Sequence, residues 1–192
     1  MKIVTTFIFC LFVFSATAQQ HNPGTPRVAF DSSLLYKDTI IHWMTIEEAE
    51  LAQKKNQKKI FVNVYATWCR WCLQEDSLTF KNREIAHYIN QNFYAVRFNA
   101  ETKTPVTFKG VKYVFLNDES KFVHDFARYL LTGRLSYPGT AFLDEQGNLI
   151  SAKNGYMDAY YLEAVLNYYA TGAYKKMNYY DFEFDFEGKI ED

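Results

Sequence analysis

Cysteine is scarce in this chain, with three in 192 residues, and Cys10 sits in an apolar N-terminal run. Only Cys69 and Cys72 remain beyond it, too few for the several bridges by which small secreted domains make up for small cores. A bridge between these two would close a very short loop and remove little entropy from the unfolded chain, so chemistry is a better reason for the pair than stapling. There is no second cysteine pair, and His21, His42, His87 and His124 are scattered without ligand spacing, which argues against structural zinc. Leu73, not histidine, follows Cys72, which excludes c-type haem attachment. No phosphate-binding loop, Ser-His-Asp arrangement or paired-carboxylate motif stands out, so hydrolases and kinases have no support. The formal net charge of −1 gives no electrostatic case for nucleic acid or an anionic membrane as partner.

Long apolar runs are missing too. Residues 1–18, "MKIVTTFIFCLFVFSATA", carry one cation at Lys2, an apolar run to Phe14 and the small-x-small pattern Ala16-Thr17-Ala18, and read as a cleaved secretory signal. The run is too short to span a bilayer comfortably, and nothing later approaches about 18 unbroken apolar residues. The expectation is an exported protein with no membrane span after signal cleavage. Lipid anchoring would need a cysteine at the cleavage point, and Cys10 is misplaced for it. Cleavage leaves 174 residues with a charge of −2, enough for one domain with a sizeable core. Aromatics reach 18%, and nearly all are expected in that core.

Residues 19–41, with Pro23, Gly24 and Pro26, read as a flexible mature N-terminus with a short strand near Val28 to Phe30. Thr45-Ile46-Glu47-Glu48 is a capping box opening a helix to about Asn56. "KIFVNVYA", Lys59 to Ala66, is a nearly continuous β-branched and aromatic run, as in a strand buried on both faces. "CRWCLQEDSLTF" reads as a helix, "NREIAHYINQNF" as its continuation or a second helix capped by Asn82, and "YAVRFNA" as a strand. "TPVTFKGVKYVFL" alternates around Lys109-Gly110 and reads as an insertion, either a hairpin or a loop with strand character. Asn117 or Asp118 is expected to cap a helix through Leu131, ended by Gly133. "GTAFLDEQGNLISAKNG" reads as a hairpin turning at Glu145 to Asn148, and "MDAYYLEAVLNYYATG" as a helix closing at Gly172. The tail, residues 173–192, alternates aromatic and acidic residues from Tyr180 to Glu187. Its period of two predicts an edge strand packed on the domain, with a partner-binding extension as the alternative.

Trp68-Cys69-Arg70-Trp71-Cys72 after a buried strand resembles the W-C-x-x-C site of the thioredoxin superfamily, and Tyr137-Pro138-Gly139-Thr140 before the last hairpin resembles its cis-proline loop. The resemblance covers about Thr45 to Gly172. The insertion at Thr102 to Phe115 is similar to that of exported thioredoxin-like proteins of Bacteroidota-type bacteria. It implies an α/β thioredoxin-like fold, a central mixed sheet flanked by helices, over residues 42–172. If a helix begins near Cys69, its sulfur lies where unpaired N–H groups favour a thiolate, and Cys72, one turn on, is within reach to resolve a mixed disulfide. Cys72 should be the more buried.

The neighbours have expected roles and simpler alternatives. Trp68 resembles the family's site-flanking tryptophan; a core aromatic following a strand is the alternative. Trp71 either offers an apolar contact to a substrate chain or packs on a neighbouring loop. Arg70 either tunes the thiolate or is an ordinary solvated charge. By resemblance, a cis bond before Pro138 would let the Tyr137 backbone meet an extended substrate beside Cys69; a trans proline in a turn is the alternative. Two residues depart from the family. Asn63 stands where a buried aspartate is usual, and it cannot accept a proton at neutral pH, so proton removal from Cys72 needs another route. Arg97 stands where lysine is common, and either favours a nearby thiolate or forms an ion pair, with Glu101 as candidate partner.

The expected function is a periplasmic thiol-disulfide oxidoreductase acting on protein disulfides, reducing by resemblance, with no cofactor and with a membrane electron donor implied because the periplasm lacks a reducing buffer. Two alternatives stand beside it: a non-catalytic thioredoxin-like binding module, and a protein holding copper(I) through both thiolates.

Overall fold

Thr45 folds as its capping box requires. Its hydroxyl accepts the Glu48 N–H at 3.2 Å and the Glu48 carboxylate accepts the Thr45 N–H at 2.8 Å, so two orphan donors of the first turn are satisfied reciprocally. The computed structural model describes residues 40–118 and 121–190. The expected signal and the strand near Val28 to Phe30 lie outside that range.

Strand β1 is Trp43–Met44, helix α1 Ile46–Lys55 and β2 Lys59–Tyr65. Helix α2, Arg70–Gln74, runs on into a π-helical turn at Glu75–Thr79, where Phe80 N–H reaches back to Glu75 O. Helix α3 is Arg83–Asn92, capped by Asn82, and β3 is Phe93–Asn99. Two hairpins follow, β4 Val106–Phe108 with β5 Val111–Tyr113, and β6 Phe115–Asp118 with β7 Lys121–His124. Helix α4 is Asp125–Leu130, β8 Gly139–Leu143, β9 Leu149–Asn154, α5 Ala159–Ala170 and α6 Tyr179–Asp185.

The five-stranded sheet has the order β1-β3-β2-β8-β9. Strand β2 runs parallel to β3 and antiparallel to β8, so the sheet is mixed. The near-continuous apolar run of β2 has the expected cause, because both of its faces are covered. Phe61 points toward Ile85, Ile89 and Leu166 of α3 and α5, whereas Ile60, Val62 and Val64 point toward Ile46 of α1 and Phe126 and Leu130 of α4. Each layer is apolar, and the fold is α/β, a mixed central sheet flanked by helices, as the resemblance implied.

The first inserted hairpin turns where expected. Lys109 and Gly110 both take positive φ, 52° and 75°, the twist that suits a two-residue hairpin loop. It is tied down by Phe108, buried beneath α1, and by a 3.0 Å bond from Thr107 N–H to Glu47.

Two sequence expectations fail. Asn117 and Asp118 do not open a helix; they belong to β6, with Asn117 opposite Phe122. The cap is His124, whose Nδ1 accepts the Phe126 N–H at 3.2 Å, and the helix it starts is six residues long. Among its described residues the tail forms no edge strand; it is helical over Tyr179–Asp185. Asn178 caps it by accepting the Asp181 N–H, and Tyr179, Phe182 and Phe186, spaced three and four apart, turn inward, which is a helical stripe. The period of two in the letters came from Tyr180 and Phe184, which point to solvent. The tail does pack against the core, as expected. Beyond it, the buried Glu163 carboxylate of α5 accepts the backbone N–H groups of Lys189 and Ile190 at 2.9 and 3.0 Å.

Candidate active site

Strand β2 ends at Tyr65, and residues 66–69 turn the chain into α2, with Cys69 N–H bonded to Ala66 O. That turn is pinned from outside. Glu101 accepts both the N–H and the hydroxyl of Thr67, each at 2.7 Å, and these bonds hold its carboxyl below the usual range. Cys69 is the N-cap of α2, and its Sγ accepts the Cys72 N–H at 3.1 Å. The two cysteines are joined as a disulfide, with Cα atoms 5.3 Å apart. The expected difference in burial is slight in this state, with Cys69 4% and Cys72 3% exposed.

Around the buried sulfurs stands an apolar rim. Trp68 is 71% exposed and Trp71 56%. The Trp68 ring meets Tyr137 edge-on at 5.9 Å, and Tyr137 packs against the cysteine cluster. The Tyr137–Pro138 bond is cis, as the resemblance implied. Trp71 leans on Tyr156, in the loop after β9, at 5.6 Å. It therefore meets a neighbouring loop and still offers an open face. Arg70, the first residue of α2, is exposed.

Arg97 has a different partner from the one expected. Its guanidinium is ion-paired with Asp76 on the π turn and lies over the Tyr65 ring at 4.5 Å. Glu101 is taken up by Thr67 instead. The charge of Arg97 thus secures the helix that carries the cysteines to β3.

Asn63 is fully buried in the middle of β2, and its Nδ2 donates to Oε2 of Glu75 at 2.9 Å. Met157 N–H donates to the other carboxylate oxygen, Oε1, at 3.3 Å. Glu75 is 1% exposed. Burial pushes its carboxyl up to about 7, against the pull of those two hydrogen bonds. Sequence reading passed over this residue. The signal was present in the helix: Cys72, Glu75 and Thr79, at spacings of three and four, form the buried stripe of α2 and its π turn.

Comparison with known proteins agrees with this architecture. The rat protein named spermatogenesis-associated protein 20 is 37% identical over 60 residues, which is 31% of this chain and 8% of that protein. This chain therefore spans a small fraction of that relative. Among solved structures, one described as DsbH oxidoreductase superposes with a TM-score of 0.50 at 16% identity, covering 78% of this chain and 95% of that one. A thioredoxin from Thermus thermophilus gives 0.52 at 13% identity, over 72% and 94%. Identities this low speak for the fold. A family model of the thioredoxin-like domain matches residues 46–170, a span holding the disulfide and the cis-proline loop, and the chain belongs to that family.

Proposed function

We propose that the protein is an exported, periplasmic thiol-disulfide oxidoreductase that reduces disulfides in other proteins, with Cys69 attacking and Cys72 resolving. The observation that carries this reading is the hydrogen bond from Cys72 N–H to Cys69 Sγ, made at the start of a helix and within a pair already at bonding distance. In the reduced protein the same N–H faces the Cys69 sulfur, and donation to sulfur favours the thiolate over the thiol. That thiolate attacks one sulfur of a client disulfide, and the other client sulfur leaves as a thiolate. Cys72 then attacks Cys69 Sγ, the bond to the client breaks, and the client has gained the two electrons that the cysteine pair lost.

Trp68, Trp71, Tyr137 and Pro138 are the surface on which the client chain lies. Exposed aromatics beside a buried sulfur pair favour an extended apolar segment over a small polar thiol. Turnover needs the pair to be reduced again, and in an oxidising compartment the source is a membrane electron donor. No helix among the described residues is long and apolar enough to cross a membrane; in this reading the donor is a separate protein. In this reading residues 1–18 are the export signal, 19–41 a flexible lead, 42–172 the catalytic domain and 173–192 an extension packed on it.

The test is reduction of insulin by a dithiol donor, compared between wild type and Cys69→Ser. Turnover is expected in the first and background in the second; equal rates would remove the catalytic reading. The potential of the Cys69/Cys72 couple fixes the direction, with a low value expected for a reductase.

A further inference from the structure

Cys72 must lose a proton before it can attack the mixed disulfide, and Asn63, buried in the middle of β2, has no proton-accepting group. A buried carboxylate does reach Asn63 from the helix that carries the cysteines. Glu75 lies three residues beyond Cys72 on the same buried stripe, where side chains one turn apart are neighbours, and its backbone N–H bonds Cys72 O. The Asn63 amide and the Met157 N–H hold one carboxylate oxygen each, so the group is fixed in place away from water.

We propose that Glu75 is the proton acceptor for Cys72, doing from the helix what a strand carboxylate at position 63 would otherwise do. The proposal rests on Cys72 being the resolving thiol. Once Cys69 is bonded to the client sulfur, the Glu75 carboxylate takes the proton of the Cys72 thiol. The resulting thiolate attacks Cys69 Sγ, the Cys69–Cys72 bond forms, and the client sulfur departs with the electron pair of the broken bond. The proton stays on Glu75 until it passes to the departing thiolate or to water. A buried carboxyl held near neutrality suits this exchange, because it can take and return a proton at working pH. The charged groups facing it are Asp76 on its own helix, which favours protonation, and Arg97 from β3, which opposes it. Asn63 from β2 and Met157 from the loop after β9 bring no charge.

The experiment uses the reduced protein and dithiobis-nitrobenzoate, which releases one coloured thiolate when Cys69 attacks and a second when Cys72 resolves. In wild type the second release is expected to accelerate as pH rises through about 7. Glu75→Gln should leave the first release unchanged, slow the second about a hundredfold, within the range of positioned general bases, and abolish that inflection. A second release with unaltered rate and pH profile in Glu75→Gln would overturn the proposal. Absence of the first release in wild type would instead sink the oxidoreductase reading. Carbon-13 NMR of the Glu75 carboxyl in wild-type protein decides independently of how the variant folds. Its titration should shift between the oxidised and reduced forms, and an identical titration in both would overturn the assignment.

Discussion

Asn63 Nδ2 donates a 2.9 Å hydrogen bond to Glu75 Oε2, and that bond ties the middle strand of the sheet to the helix bearing both cysteines. It satisfies a buried acid without neutralising it, and stability must then depend on pH. In the unfolded chain Glu75 ionises near its ordinary value of 4.5, whereas burial raises it to about 7 in the fold. Between those values the native state holds a proton that the unfolded state has released, so stability falls as pH rises from 4.5 to 7 and is level beyond. The loss from this group is about 3 kcal/mol. Urea unfolding of the oxidised protein at pH 5 and pH 8 should show it, and Glu75→Gln should remove it. An equal pH dependence in both proteins would contradict this.

Replacing Trp68 and Trp71 by alanine should separate binding from chemistry. Both rings are mostly exposed, so their loss should change stability by no more than about 0.5 kcal/mol. With insulin as substrate KM is expected to rise several-fold, while the first release from dithiobis-nitrobenzoate stays near wild type. A parallel loss in both assays would show that the rings position Cys69 and do not contact clients.

The Cys72→Ser variant should accumulate clients bonded to Cys69. Without a resolving sulfur the mixed disulfide has no internal exit. Bands of higher mass on a non-reducing gel that collapse with dithiothreitol are the expected result, and their absence in Cys69→Ser/Cys72→Ser is the control. A bare Cys72→Ser lane would argue for a fixed disulfide in a binding module.

The tail helix gives a stability contrast within three residues. Phe182 is buried against Tyr168 at 5.2 Å, whereas Phe184 is 90% exposed. Phe182→Ala should cost about 3–5 kcal/mol, and Phe184→Ala about 0.5 kcal/mol or less. Guanidinium unfolding of both variants checks this. Equal, small effects would mean that α6 is not part of the cooperative unit.

What the letters disclosed was what depends on near neighbours. Thr45 and Glu48, Asn82 and its helix, Lys109-Gly110 and its hairpin each act within four residues, and each was legible. The cysteine pair could be placed at a helix start for the same reason. His124 was missed as a cap because histidine rarely accepts in that role, and the acids before it imitate a helix start. The tail misled because its aromatic stripe was read two residues at a time, and only Asn178 betrays a turn. Glu75 was invisible for another reason. An acid in an amphipathic helix is ordinarily solvated, and its burial follows from Asn63, 12 positions earlier, and Met157, 82 positions later.

Thr79 and Glu75 grip the backbone of Met157 from both sides, by a 2.7 Å bond to its carbonyl and a 3.3 Å bond from its N–H. Tyr156, the preceding residue, props Trp71 on the surface. Adjacent residues of one loop thus face opposite ways, one toward the open rim and one toward the dry interior. The exposed indole and the sequestered carboxylate are therefore braced by neighbouring positions of that loop, so the rim of the site and its interior share a single support.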